Sequence, residues 1–176
     1  DDLLYQLSLK YKPTKRRHDY LKRYNFHFYP IRKKVKKILE IGVDRGESLA
    51  MWEEYFPNAE IHGLDINSEC MKFNQGRVKI TIGDQSDQNF LDKFGRENNS
   101  FDIVYVRQAM HHANDLEKFV KECIRVLKPS GLLLTIRDHV IYNETDKKWF
   151  LKTHPLHKFY GGENAFTRNG FYENFF

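Results

Sequence analysis

The sequence is poor in cysteine, with Cys70 and Cys123 far apart and without metal-ligand spacing. A disulfide scaffold and a cysteine-based zinc site are therefore excluded as organising principles. Both thiols read as reduced, buried, small side chains, which fits a reducing, cytoplasmic compartment. No apolar run approaches the roughly 20 residues a membrane helix needs. Mean hydropathy is −0.69, which fits a soluble protein. The start, Asp1-Asp2-Leu3-Leu4, lacks a basic stretch followed by an apolar one, so no secretory signal is expected. Internal repeats and low-complexity tracts are also missing.

What remains is one domain of ordinary size: 176 residues, 40% hydrophobic and 15% aromatic. Its net charge of +5 is unevenly spread. Residues 1–37 hold 12 Lys/Arg against 3 Asp/Glu, and residues 38–176 hold 17 against 21. Aromatics interleave the basic part at Tyr11, Tyr20, Tyr24, Phe26, Phe28 and Tyr29. Residues 10–37 could steer an anionic partner such as nucleic acid. The plainer expectation is a solvated helical face whose aromatics pack inward. No RNA-binding signature of the RRM or KH kind is present.

From residue 38 short apolar runs alternate with amphipathic stretches. Strands are expected at 37–43, 60–65, 77–82, 101–106 and 131–137. Helices are expected at 47–56, 67–74, 86–94 and 114–128. The last has apolar residues at helical spacing, namely Leu116, Phe119, Val120, Cys123, Ile124 and Leu127. Asn114 with Glu117 resembles a capping box, and Pro129 is expected to end the helix. This alternation predicts an α/β fold, a Rossmann-like, doubly wound, mainly parallel sheet with helices on both faces. The expected division is a basic helical segment, 1–37, and a Rossmann-like domain, 38–176.

In such a sheet, ligands bind beyond the carboxyl ends of the strands. The first strand leads into Glu40-Ile-Gly42-Val-Asp44-Arg45-Gly46-Glu47-Ser48. Gly42 and Gly46 allow close backbone approach at a strand-to-helix turn. The second strand ends in Asp65, beside Ile66 and 25 residues after Glu40, placed to accept ribose hydroxyls. The third ends in Gly83-Asp84-Gln85, where a short acid can accept from an adenine amino group. A turn with a helix cap is the plainer role for Asp84. A dinucleotide site wants Gly-x-Gly-x-x-Gly, but Asp44 and Glu47 stand at the second and third glycine positions and would repel a diphosphate. No Gly-Lys-Ser/Thr of a P-loop follows either. A donor with a sulfonium and an ammonium suits this loop, and S-adenosylmethionine is such a donor. Glu40, Gly42, Asp44, Gly46, Ser48, Asp65, Ile66, Asp84, Gln85 and Arg107 are the candidate cofactor-binding residues.

On these motifs, the chain from about residue 38 resembles class I S-adenosylmethionine-dependent methyltransferases. Phe101-Asp102-Ile-Val leading to His111-His112, the helix, and Leu127-Lys128-Pro129-Ser130-Gly131 resemble a run found in many small-molecule methyltransferases. Residues 11–94, with Ser48-Leu-Ala-Met-Trp52, Tyr55-Phe-Pro57 and Gly83-Asp-Gln85, resemble macrolide-sugar O-methyltransferases. That group is metal-dependent, with paired acids after the fourth strand. Here Tyr105-Val-Arg107-Gln108 stands there instead, so no metal is carried over. Residues 101–166 resemble a general methyltransferase group with varied substrates. The resemblance implies methyl transfer to a small-molecule acceptor, including a sugar or glycosylated-metabolite hydroxyl. The alternative is a methyltransferase-like domain that binds nucleic acid through residues 10–37 and modifies RNA or is inactive. A hydroxyl acceptor wants a general base. His112 and His139 are the preferred candidates, with His111 and Asp138 beside them. His154, His157, Glu163 and Asn164 are candidates to cap the site. The resemblance implies seven strands, but five are found, and only 39 residues follow Arg137. The expectation is a fragment, or a homodimer that covers the open edge.

Overall fold

The computed structural model describes residues 2–13, 20–85, 87–107, 109, 110, 113, 115–136, 144, 145, 148 and 152. Helices α1 (Leu3–Tyr11) and α2 (Tyr20–Phe28) precede strand β1 (Lys37–Ile41). Helix α3 (Glu47–Tyr55), strand β2 (Glu60–Asp65), a 3₁₀ turn over Ser68–Phe73 and strand β3 (Val78–Ile82) follow. Helix α4 (Gln88–Glu97), strand β4 (Phe101–Arg107), helix α5 (Leu116–Arg125) and strand β5 (Leu127–Ile136) complete the order. The strands form a sheet in the order β3-β2-β1-β4-β5, with every pairing parallel. The chain order reverses between β1 and β4, which places the switch point beyond Ile41 and Arg107.

Alternation along β1 decides what each face buries. Ile38, with Ile103 and Tyr105 of β4, faces α1, α2 and α3. Leu39 and Ile41, with Val104 and Val106, face α4 and α5. Both faces are covered, so the strands are apolar almost throughout. The first face is rich in rings: Trp52 packs against Tyr24, Phe28, Tyr55, Phe56 and Tyr105 at centroid separations of 5.6–6.1 Å.

The N-terminal helices share this core. Leu4, Leu7, Leu21, Tyr24 and Phe28 are buried, each burial contributing roughly 1.5–3 kcal/mol before ordering costs. The expectation that the basic segment turns its aromatics inward holds for Tyr24 and Phe28, whereas Phe26 is 77% exposed and Tyr29 54%. Asp102 ties the start of β1 to β5: one oxygen accepts the backbone N–H of Lys36 and Lys37, and the other meets Lys128 Nζ at 2.7 Å. Among the described residues, no helix is long and apolar enough to cross a membrane.

Several boundaries differ from the sequence expectation for local reasons. β3 starts at Val78, because the Arg77 backbone N–H is taken by Glu53 Oε1 at 2.7 Å. α4 starts at Gln88, because Asp87 accepts from the amides of Asn89 and Phe90. α5 is capped by Asp115, whose side chain accepts from Lys118 N, one residue later than the expected box. Pro129 does not end that helix. It lies inside β5, where Phe101 pairs with Leu127 but Ile103 pairs with Leu132. β5 therefore holds three more residues than β4 over this interval, and a proline with no N–H to donate is tolerated in such a bulge. Ile124, expected on the apolar stripe of α5, is 57% exposed.

Candidate functional site

The β1–α3 turn stands at the switch point. Parallel pairing continues one residue past β1, where Gly42 N–H donates to Leu64 O at 2.9 Å. The chain then turns through left-handed backbone at Gly42 (φ 89°), Asp44 (φ 53°) and Gly46 (φ 72°). Aspartate and asparagine tolerate that region better than most side chains, and glycine enters it without strain. Gly46 caps α3 with no side chain of its own. A Cβ there would lie 2.6 Å from the Phe73 ring, so the 3₁₀ turn after β2 presses directly on the loop.

Asp65 holds this turn in place. Its Oδ2 accepts the Val43 N–H at 2.7 Å and the Asp44 N–H at 3.1 Å, and its Oδ1 accepts the Asn67 N–H at 2.9 Å. Successive backbone N–H groups in a turn form a concave anion site. In a dinucleotide fold such amides serve a phosphate, and here a carboxylate of the chain itself takes them. A carboxylate has about four acceptor positions, so about one remains for a ligand hydroxyl. Ile66, beside Asp65, is 61% exposed and offers an apolar surface at the same edge. Gly83 N–H donates to Asp65 O at 2.9 Å, which brings Asp84 and Gln85 alongside, both partly buried. The Asp84 carbonyl accepts from Asp87 N, so Asp84 belongs to the turn while Asp87 serves as the helix cap.

Glu40 and Ser48 sit deeper. Glu40 is 1% exposed, and Ser48 Oγ donates to its Oε1 at 2.8 Å, binding the first turn of α3 to β1. They anchor the loop from behind. Arg107 ends β4 in register with Ile136, level with the loop across the switch point. His111, His112, Asp138, His139, His154, His157, Glu163 and Asn164 lie outside the described residues.

Three contributors to the site carry no motif in the sequence. Phe73 covers Gly46, and Phe90 fills the space a Cβ on Gly83 would need. Cys70, buried, donates its thiol to Asp44 O at 3.5 Å. Burial pushes that thiol's pKa up, and the charges of Asp65 and Asp44 push it further. Asp44 and Asp65 thus bring two carboxylates to the turn. Asp44, exposed, makes no ion pair among the described residues.

These features fit an adenosyl group that carries positive charge and no phosphate. The loop amides are taken, one acceptor position on Asp65 remains, and the apolar surface of Ile66 adjoins it. Among the described residues, no group of three His, Cys, Asp or Glu could hold a metal ion. The exposed lysines Lys33, Lys34 and Lys36 lie where the chain leads into β1. That is the amino end of the sheet, opposite the loop.

Residues 39–135 match the family described as "Methyltransferase domain". Mycinamicin VI 2''-O-methyltransferase of Micromonospora griseorubida is 37% identical over 94 residues, 49% of this chain and 23% of that protein. Demethylmacrocin O-methyltransferase of Streptomyces fradiae is 32% identical over 122 residues, 65% of this chain and 30% of that protein. The solved structure of the MycE methyltransferase from mycinamycin biosynthesis, in complex with Mg and SAH, superposes with a TM-score of 0.69. It is 28% identical, over 90% of this chain and 39% of its own. The chain thus spans less than half the length of these relatives.

Proposed function

The chain belongs to the methyltransferase-domain family, the class I S-adenosylmethionine-dependent methyltransferases, and from that premise we propose that it transfers a methyl group to a hydroxyl of a small molecule, a sugar or glycosylated metabolite. The observation that carries the cofactor half of this reading is Asp65 seated on the amides of Val43 and Asp44. A nicotinamide dinucleotide would have to place its diphosphate where that carboxylate already lies. The sugar half rests on relatives whose names include 2''-O-, 3'-O- and 2'-O-methyltransferases of glycosylated metabolites.

When bound, S-adenosylmethionine supplies a sulfonium methyl already activated for displacement. The chain's own residues bind and orient. The remaining acceptor position of Asp65 takes a ribose hydroxyl, and Ile66 packs on the base. Asp84 and Gln85 meet the base's amino edge, while Gly42 and Gly46 let the backbone approach closely. Alignment of this kind supplies about 7–11 kcal/mol of a barrier, and a general base about 10²–10⁴-fold. The base is sought among His112, His139, His111 and Asp138, which follow β4 and β5 in the chain. A nucleic acid held by Lys33, Lys34 and Lys36 would lie at the far end of the sheet, which favours a small acceptor.

Calorimetric titration with S-adenosylmethionine, S-adenosylhomocysteine and NAD tests the reading. Saturable binding of the first two and none of NAD is expected. Binding of NAD alone would overturn it.

A further inference from the structure

Asp44 occupies an unusual position. It is a non-glycine residue in left-handed backbone, at the centre of the turn that faces the cofactor edge. Its backbone is fixed from two sides, by Asp65 Oδ2 on its N–H and by the Cys70 thiol on its carbonyl. The Phe73 ring against Gly46 holds the turn on a third side. The backbone that carries the Asp44 side chain is thus held in place. That side chain is exposed and makes no ion pair among the described residues. None of these contacts requires a carboxylate at position 44, since all three go to the backbone of the turn. Asparagine tolerates the left-handed region as well as aspartate does. The negative charge is therefore not explained by the fold.

The two ligands of a methyltransferase differ by one charge at one atom. The donor carries a sulfonium, and the product left after transfer is a neutral thioether. Their adenosine and amino-acid ends are the same. A residue that contacts adenosine or the carboxylate end cannot distinguish them electrostatically, whereas a fixed carboxylate near the sulfur can. We propose that Asp44 is the specificity-determining residue that favours the sulfonium donor over its thioether product, an inference that rests on the cofactor reading above. Release of the spent product is then easier than release of fresh donor. Asp65, at the end of β2, spreads its charge over three backbone N–H groups, and Glu47 is half-buried in the first turn of α3, so Asp44 is the exposed carboxylate of the turn. Arg45 and Lys72 are the cations nearest in the chain and on the covering turn. Lys72 is exposed, with its Nζ 5.1 Å from the Phe73 ring.

Calorimetric titration of the protein and of Asp44→Asn with each ligand, at low and high salt, tests this. Asp44→Asn should weaken S-adenosylmethionine about two- to fivefold and leave S-adenosylhomocysteine within about twofold, the size of a solvent-exposed charge pair. In the unaltered protein the preference for the donor should shrink with salt, and in Asp44→Asn it should not change. Asp44→Gly, which removes the charge and relieves the backbone, should behave like Asp44→Asn. Thermal unfolding confirms that both variants fold. Equal weakening of both ligands, or no change in either, overturns the inference and leaves the cofactor reading intact. If the unaltered protein binds neither ligand, both fail.

Discussion

The Asp65 carboxylate and the Val43 N–H lie 2.7 Å apart, on different strand ends and 22 residues apart in the chain. This contact joins the turn after β1 to the end of β2, so one side chain shapes the loop and, on the proposed cofactor reading, also meets the ligand. Asp65→Ala should remove both roles. Binding of S-adenosylmethionine and of S-adenosylhomocysteine should weaken together by more than about tenfold, given about 1.5–3 kcal/mol for a hydrogen bond to a charged group. Asp65→Asn keeps an acceptor oxygen but no charge, and should fall between the two. Calorimetry on the three proteins checks the order. Unchanged affinity in Asp65→Ala would show that the nucleoside sits elsewhere.

Gly46 is confined by two separate restraints, a φ of 72° and the Phe73 ring 2.6 Å from where a Cβ would lie. Gly46→Ala should destabilise the protein by about 1–2 kcal/mol for the left-handed backbone and about 1–3 kcal/mol for the crowding. In the double variant Gly46→Ala/Phe73→Ala the crowding goes and the backbone cost stays. Relative to Phe73→Ala alone, the added alanine should then cost only the smaller, backbone part. Urea unfolding of the four proteins gives both terms. Equal effects of Gly46→Ala in the two backgrounds would mean that the ring moves aside freely.

Much of this arrangement was legible in the sequence, and the gaps have physical reasons. Gly42, Gly46, Asp65 and Gly83-Asp84 stand at strand ends, where loop chemistry follows from the alternation of apolar runs, so the edge of the sheet could be located. That Asp65 spends its oxygens on the loop amides could not be read, because only the parallel register of β1 with β2 brings residue 65 to residue 43. Phe73 and Cys70 carry no motif and act through where the 3₁₀ turn falls. Asn114 and Asp115 are neighbouring residues of the kinds that cap helices, and local pattern alone does not choose between them. Pro129 reads as a helix stop under the same local rules, and only the pairing of Phe101 with Leu127 makes it part of a bulged strand.

The two cysteines should be inert in the folded protein. Both are free and buried. Burial pushes Cys123 up to about 12, and burial with the Asp65 and Asp44 charges pushes Cys70 above its ordinary value. Thiolate is the reactive form. A thiol reagent at pH 8 should therefore label neither in buffer at more than a slow rate, and both in denaturant. Rapid labelling of Cys70 alone would show that the 3₁₀ turn opens over the Asp44 carbonyl.

Asp102 links acid stability to the base of the sheet. Burial would raise its pKa. The hydrogen bond from Lys128, with the N–H groups of Lys36 and Lys37, outweighs this and holds the carboxyl below its ordinary value of 3.8. A carboxyl lowered on folding contributes stability that is fully present above its unfolded pKa and is lost as pH falls through the folded one. The contribution of Asp102 should therefore be level near neutrality and drop below about pH 4, the range set by an ordinary aspartate. Asp102→Asn should be less stable at pH 7, because an amide presents one acceptor oxygen to groups that now meet two. Its own loss on acidification should be smaller, so the two curves converge toward low pH. Chemical unfolding at several pH values measures the gap. A gap that stays constant with pH would show that Asp102 acts through packing rather than charge.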